Sequence, residues 1–144
     1  MADVRVEVVT PQVQFPLREQ VLGQPPTFKD GDEARTTLHI GVYRGDQLVS
    51  IASIYHENHP ERPSGNDWRL RGVATLPEFE GQGFGRKAVQ RCIDHARAMG
   101  GTVVWCNARE NAVPFYIRLG FSVKPDSYAL PNGGIRYFMW LSLQ

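Results

Sequence analysis

The strongest constraint on this chain lies between residues 68 and 106. Phe84, Ala88, Val89, Cys92, Ile93, Ala96 and Met99 fall on one stripe at helical spacing within residues 82–99. Gly100 and Gly101 then stop the pattern, as a C-terminal glycine does. Residues 102–106, Thr-Val-Val-Trp-Cys, follow as an apolar run of the kind found in strands buried on both faces. A strand over residues 68–75 precedes the helix. A strand, a long helix and a second strand require parallel pairing and a right-handed crossover.

The flanking pattern is antiparallel. Val4, Val6 and Val8 alternate with Arg5 and Glu7, which predicts a first strand. Residues 12–22 carry Val13, Phe15, Leu17, Val21 and Leu22, a short helix pattern blurred by Pro16, and residues 23–32 form a loop rich in Pro, Gly and charge. Residues 36–43 and 48–55 make a hairpin across a short turn. Residues 56–67 are polar with two prolines, a loop long enough to face a substrate. Residues 111–119 predict a third helix ended by Gly120. Residues 121–124 and 135–143 are the last strands, joined by a loop containing Pro131-Asn132-Gly133-Gly134. The resulting class is α+β: one domain over residues 1–144, with a mixed, mostly antiparallel sheet of six to seven strands flanked by helices.

Composition removes several function classes. Sixteen basic and fifteen acidic side chains leave a formal charge of +1, with no block of one sign to attract nucleic acid. No apolar run approaches the ~20 residues of a membrane span. The first residues lack the apolar stretch of a signal peptide, so a cytoplasmic location is expected. Cys92 and Cys106 show neither CxxC nor metal-ligand spacing and read as reduced structural thiols. No metal site is expected.

Glu80-Gly81-Gln82-Gly83-Phe84-Gly85-Arg86-Lys87 sits where a strand and turn meet the long helix. Glycines there admit positive φ and close ligand approach. Amides at such a join make a nest suited to a pyrophosphate, and a flexible helix cap is the alternative. A P-loop needs Gly-Lys-Ser/Thr, whereas Gly85 precedes Arg86-Lys87-Ala88. A dinucleotide fingerprint needs GxGxxG and an acid ending the next strand; the spacing here is GxGxG and the strand ends in Cys106-Asn107.

Residues 73–85, Val-Ala-Thr-Leu-Pro-Glu-Phe-Glu-Gly-Gln-Gly-Phe-Gly, resemble the acetyl-CoA signature of the GNAT N-acetyltransferase superfamily. Residues 112–121, with Phe115-Tyr116 and Gly120-Phe121, are similar to the second block of that family. The resemblance covers roughly residues 36–143. It departs at Glu80, where the family usually has Arg or Gln, and at Arg109, where it often has Asn. That Asn role passes to Asn111.

The resemblance implies direct transfer of an acetyl group from acetyl-CoA to a primary amine of a small or amino-acid-like acceptor, in a ternary complex. Val73, Ala74 and Thr75 would meet the pantetheine arm and supply the oxyanion donor where strands four and five splay. Gly81, Gln82, Gly83, Phe84, Gly85 and Arg86 would hold the pyrophosphate. Such a reaction needs a neutral amine, an oxyanion donor and an acid for the departing thiolate. Tyr116 occupies the family's tyrosine position and serves as that acid, a core aromatic being its rival reading. No carboxylate lies on residues 68–71, Trp-Arg-Leu-Arg. Glu57 is the best carboxylate for a base, with His56 and His59 nearby, and a water-relayed path is the alternative.

Period-two alternation places Arg69 and Arg71 on the strand face of Val73 and Thr75. If that face lines the acceptor cleft, the two arginines favour an acceptor with a carboxylate or phosphate. Two rival functions remain: a non-catalytic acyl-CoA binding module and a protein or peptide acetyltransferase. The aromatic residues of 135–143 serve equally to pack a homodimer or to fill a core.

Overall fold

The computed structural model describes residues 3–131 and 133–143. Its centre is one seven-stranded sheet in the order β1-β2-β3-β4-β5-β7-β6. The strands are β1 (Val4–Val8), β2 (Leu38–Arg44), β3 (Gln47–His56), β4 (Asp67–Thr75), β5 (Val103–Arg109), β6 (Ser122–Ala129) and β7 (Ile135–Ser142). The helices are α1 (Pro11–Leu22), α2 (Phe84–Ala98) and α3 (Val113–Arg118). Every strand pair is antiparallel except β4–β5, which is parallel, as the crossover through α2 requires.

Two apolar clusters cover the two faces. The larger one joins Ala88, Val89, Cys92 and Ile93 of α2 to Ile40, Ala52, Ile54, Trp68 and Leu70 of the sheet, and continues into Tyr116 and Phe121. The smaller one sets Leu17 of α1 against Ile51, Ala74 and Leu76. The α1 side of the sheet is unusual for a core: the buried residues of that helix are Gln14, Leu17 and Arg18. Of the apolar positions of residues 12–22, Leu17 is buried, Val21 and Leu22 pack partly against the smaller cluster, and Val13 is exposed, so the inward face is only partly apolar.

Two departures from regular pairing shape the site. Ser53 faces Arg71 and Ile51 faces Ala74, so β4 carries one extra residue against β3. The bulge contains Gly72 at φ 64°, a left-handed conformation that costs a glycine nothing. The second departure is that β4 and β5 pair only from Asp67↔Val103 to Arg69↔Trp105. Beyond that point the strands diverge, leaving Val73–Thr75 without a β5 partner.

Several sequence expectations shift at their edges. The long helix begins at Phe84 rather than residue 82, because Gly81 and Gly83 both adopt positive φ. The third helix is a 3-10 turn at Glu110–Ala112 followed by α3, since Pro114 fits a first helical turn and not a helix interior. The sixth strand runs to Ala129, five residues past the expected end, with irregular pairing across Pro125. Asn132 lies outside the described residues.

Candidate active site

The turn after β4 holds a short 3-10 helix, Pro77–Phe79, and then the glycine-rich join. Gly83 is the N-cap of α2 at φ 88°, and no side chain caps the helix. The first amides of α2 are therefore free to face a ligand, and the helix dipole favours an anion there. A Cβ on Gly81 or Gly83 would meet nothing within 4 Å, so positive φ is what selects glycine at both positions. Gly85 differs: its Cβ would approach Thr75 Oγ1 to 3.1 Å and the Phe115 ring to 3.6 Å. There the helix start must lie close to the strand.

A cavity of about 760 Å³ opens over this join. Val73, Ala74, Thr75, Gly81, Gly83, Phe84, Gly85, Arg86 and Asn111 all line it. Glu80 lines it too, exposed and without an ion pair among the described residues. Gln82 does not; its side chain turns back to the Glu78 carbonyl at 3.4 Å. Free helix amides, a strand edge without a partner and a glycine-floored groove fit a pyrophosphate continued by an extended amide-bearing arm.

A second cavity, about 280 Å³, occupies the gap between the diverging strands. It shares Leu22, Val73, Arg109 and Ala112 with the larger one, so the two meet at the bulge. Tyr116 lines it from the α2–α3 side of the sheet, with its ring against Phe115 and Phe121. Burial, followed by the neighbouring Cys106 and Cys92, raises the Tyr116 hydroxyl well above the ordinary tyrosine value. It therefore stays protonated at neutral pH and has a proton to donate. The Cys106 thiol is likewise pushed up to about 12 by burial and is inert.

From the other side of the sheet come Lys29, Arg69 and Arg71, with Arg109, Arg136 and Tyr128 at the remaining wall. The bulge overturns the alternation expected for β4. Arg69 and Arg71 lie on the α1 face together with Ala74, whereas Val73 packs with the α2 cluster. One extra residue at Gly72 reverses the parity of everything after it. The arginines still reach the cavity, because it cuts through the gap between strands.

Behind this wall lies a buried polar cluster that sequence reading did not find. Arg18 donates to the Asp32 carboxylate at 2.8 and 3.1 Å and to Gln14 Oε1 at 2.8 Å. Tyr55 donates to Asp32 at 2.6 Å, and the Lys29 amide donates to it at 2.7 Å. Burial pushes the Asp32 carboxyl upward, but these hydrogen bonds outweigh it and hold the group at about 2. His39 spans the Asp32 carbonyl (2.8 Å) and Ser53 (2.7 Å), and burial lowers its pKa, so it is neutral. The cluster ties the loop after α1 to the sheet and so sets Lys29 over Gly72, whose Cβ position is 3.7 Å from Lys29 Nζ. A buried Arg and Asp at 14-residue spacing carry no periodic signal, which is why pattern reading passed over them.

The base candidates do not gather here. Glu57 lines neither cavity; it accepts a hydrogen bond from Arg69 at 3.1 Å. His56 stacks on Trp68, and His59 packs on Trp105 and Phe138. None of residues 56–66 lines either cavity, because that loop sits at the start of β4, where Asp67 holds Arg62 and the His59 amide. The loop facing the smaller cavity is the one after α1, through Gln24 and Lys29. No cluster of metal-ligating side chains occurs among the described residues.

Residues 9–121 match the model of the Acetyltransferase (GNAT) family. The uncharacterized N-acetyltransferase YitI of Bacillus subtilis is 26% identical over 145 residues, covering 98% of this chain and 97% of that one. Two solved structures share the fold. An aminoglycoside 6'-N-acetyltransferase complexed with coenzyme A superposes with a TM-score of 0.75 at 12% identity, over 97% of each chain. The yncA protein of Salmonella typhimurium, solved with its cofactor acetyl-CoA, superposes at 0.72 with 20% identity, over 98% of this chain and 94% of that one.

Proposed function

Because the chain belongs to the GNAT acetyltransferase family, we propose that it transfers an acetyl group from acetyl-CoA directly to the primary amine of a small, amino-acid-like acceptor, with Tyr116 as general acid. The observation that carries this reading is the position of Tyr116. It lines the smaller cavity at the strand gap, where that cavity adjoins the glycine-floored groove at Val73 and Ala112.

Bound acetyl-CoA supplies the acetyl group as a thioester. Gly81, Gly83, Phe84, Gly85, Arg86 and Asn111 would hold its phosphates, and the free edge of Val73–Thr75 would bind its amide-bearing arm. The acceptor enters as an ammonium and loses one proton to water through the open cavity. Its nitrogen forms the new C–N bond as the C–S bond breaks. A β4 backbone N–H, without a β5 partner, receives the developing oxyanion. Tyr116 gives its proton to the departing sulfur and regains one from the acetylated nitrogen, so one proton is released per turnover. Burial keeps Tyr116 protonated in the free protein at neutral pH, so its proton is in place when the sulfur departs.

The test is free coenzyme A release across a panel of amines, with Tyr116→Phe as control and thermal shift as the binding readout. Acetyl-CoA at a hundredfold excess over its Kd stabilises by about 2.7 kcal/mol if it binds only the native state. No thermal shift would refute the cofactor site. A shift without release from any amine would favour the binding-module reading.

A further inference from the structure

The smaller cavity has five cationic side chains in its wall, Lys29, Arg69, Arg71, Arg109 and Arg136, and no carboxylate. The chain as a whole is nearly neutral, with sixteen basic and fifteen acidic residues, so this is local segregation of charge. Partners explain little of it. Arg69 is the only one of the five paired to a carboxylate among the described residues, to Glu57 at 3.1 Å. Its Nε is buried without a hydrogen-bond partner. Arg71 lies over the Tyr55 ring at 5.5 Å. Arg109 reaches the Leu22 carbonyl at 3.4 Å, and Arg136 reaches that of Ile135 at 3.3 Å. The nearby Asp32 is already neutralised by Arg18.

The protein registers this imbalance. Burial first, then the charges of Arg18 and Arg71, brings the Lys29 ammonium down to about 8. Burial and Arg69 lower Arg71 as well. Cations crowded in this way without counter-charges destabilise the free protein, which points to a ligand that supplies the missing charge. Arg109 also lines the larger groove and is available to the cofactor's phosphates. That leaves Lys29, Arg71 and Arg136 without a carboxylate partner among the described residues.

We propose that the acceptor is a small amine bearing at least two negative charges, as a phosphate monoester or a pair of carboxylates, held by Lys29, Arg71 and Arg136. One carboxylate would leave the wall cationic; two charges bring it near balance. A polyamine or a lysine side chain meets repulsion with nothing to offset it.

The proposal rests on the acetyltransferase reading for turnover but not for binding, and the experiment separates the two. Free coenzyme A release is measured with O-phosphoserine, phosphoethanolamine, aspartate, glutamate, serine, tyramine and spermidine. Binding of the same amines to the protein saturated with coenzyme A is measured by calorimetry. Expected is a kcat/KM for at least one dianionic amine some hundredfold above that for serine, falling with added salt, and no measurable rate with spermidine. The phosphorylated and dicarboxylic arms decide which dianion is read. Lys29→Met and Arg71→Gln should each raise that acceptor's KM about tenfold or more, with kcat and the acetyl-CoA thermal shift unchanged. Lys29→Met should also raise the Tm of the free protein, which a merely structural lysine would not do. Binding of dianionic amines without turnover would remove the acetyl-transfer reading and leave this one. Equal or better rates or binding with serine, tyramine or spermidine, or unchanged acceptor KM in both variants, would overturn it.

Discussion

Arg18 and Asp32 meet through two hydrogen bonds, 2.8 and 3.1 Å long, with both side chains almost wholly shut off from solvent. The pair joins α1 to the loop that carries Lys29, and it receives Tyr55 and the Lys29 amide as further donors. Removing one member strands the other charge in the interior. Asp32→Ala should therefore cost about 3–5 kcal/mol, read as a shift of the urea midpoint. The double variant Arg18→Met with Asp32→Leu should recover much of that loss.

The same carboxylate predicts an acid limb. Its folded pKa is about 2 against an unfolded value of 3.8. A depressed carboxyl contributes stability above its unfolded pKa and loses it as pH falls through the folded one. The contribution, about 2 kcal/mol, is present above pH 4 and disappears between roughly pH 4 and 2. Comparing Asp32→Asn with the parent by urea unfolding at pH 7 and pH 2.5 checks this. The gap between them should narrow at the lower pH.

Much of this architecture is legible in sequence, and the failures share a cause. The crossover unit is legible because helical spacing over residues 84–99 and an apolar strand after it admit one topology. The glycine-rich join is legible because positive φ at Gly81 and Gly83 selects one residue type. Alternation of Val4, Val6 and Val8 marks β1 correctly but not its burial, since all three are 40–58% exposed on the sheet edge. Face assignment on β4 fails at Gly72, because a bulge is one residue of aperiodicity inside a periodic pattern. Lys29, Arg109 and Arg136 are missed because tertiary placement alone brings them to one cavity. Glu57 is misplaced for the opposite reason: proximity in sequence to a polar loop says nothing of which end of the strand the site occupies.

Tyr116→Phe should reduce kcat by about 10²-fold or more while leaving acetyl-CoA binding intact, the range of a removed general acid. The pH profile gives a second reading. The hydroxyl is held well above the ordinary value of 10 by burial, so the parent should show no descending limb from Tyr116 up to pH 10. A limb near pH 9 that vanishes in Tyr116→Phe would contradict the environment described for this residue.

Glu57→Gln is expected to keep kcat within about threefold of the parent. Its carboxylate lines neither cavity and serves Arg69, across a contact that is partly open to solvent. Such a pair contributes at most ~1 kcal/mol, so the Tm should move little. A hundredfold loss of kcat with acceptor KM unchanged would restore Glu57 as a base and require the loop to move.

Gly83 and Gly85 look alike in sequence but are glycine for different reasons, and alanine separates them. At Gly83 the φ of 88° alone is at stake, since a Cβ meets nothing within 4 Å. Gly83→Ala should therefore cost about 1–2 kcal/mol in backbone strain, whatever its neighbours are. At Gly85 the backbone is helical, and alanine is intrinsically favoured there by up to ~1 kcal/mol. Opposing that gain, the new Cβ would sit 3.1 Å from Thr75 Oγ1, which is itself 2.8 Å from Ser50 Oγ. Thr75 can yield only by giving up that contact. Combining each alanine with Thr75→Ala in a double-mutant cycle should give no coupling for Gly83 and a rescue of at least ~0.5 kcal/mol for Gly85. Equal coupling at both positions would mean that the helix start approaches β4 differently from the geometry described.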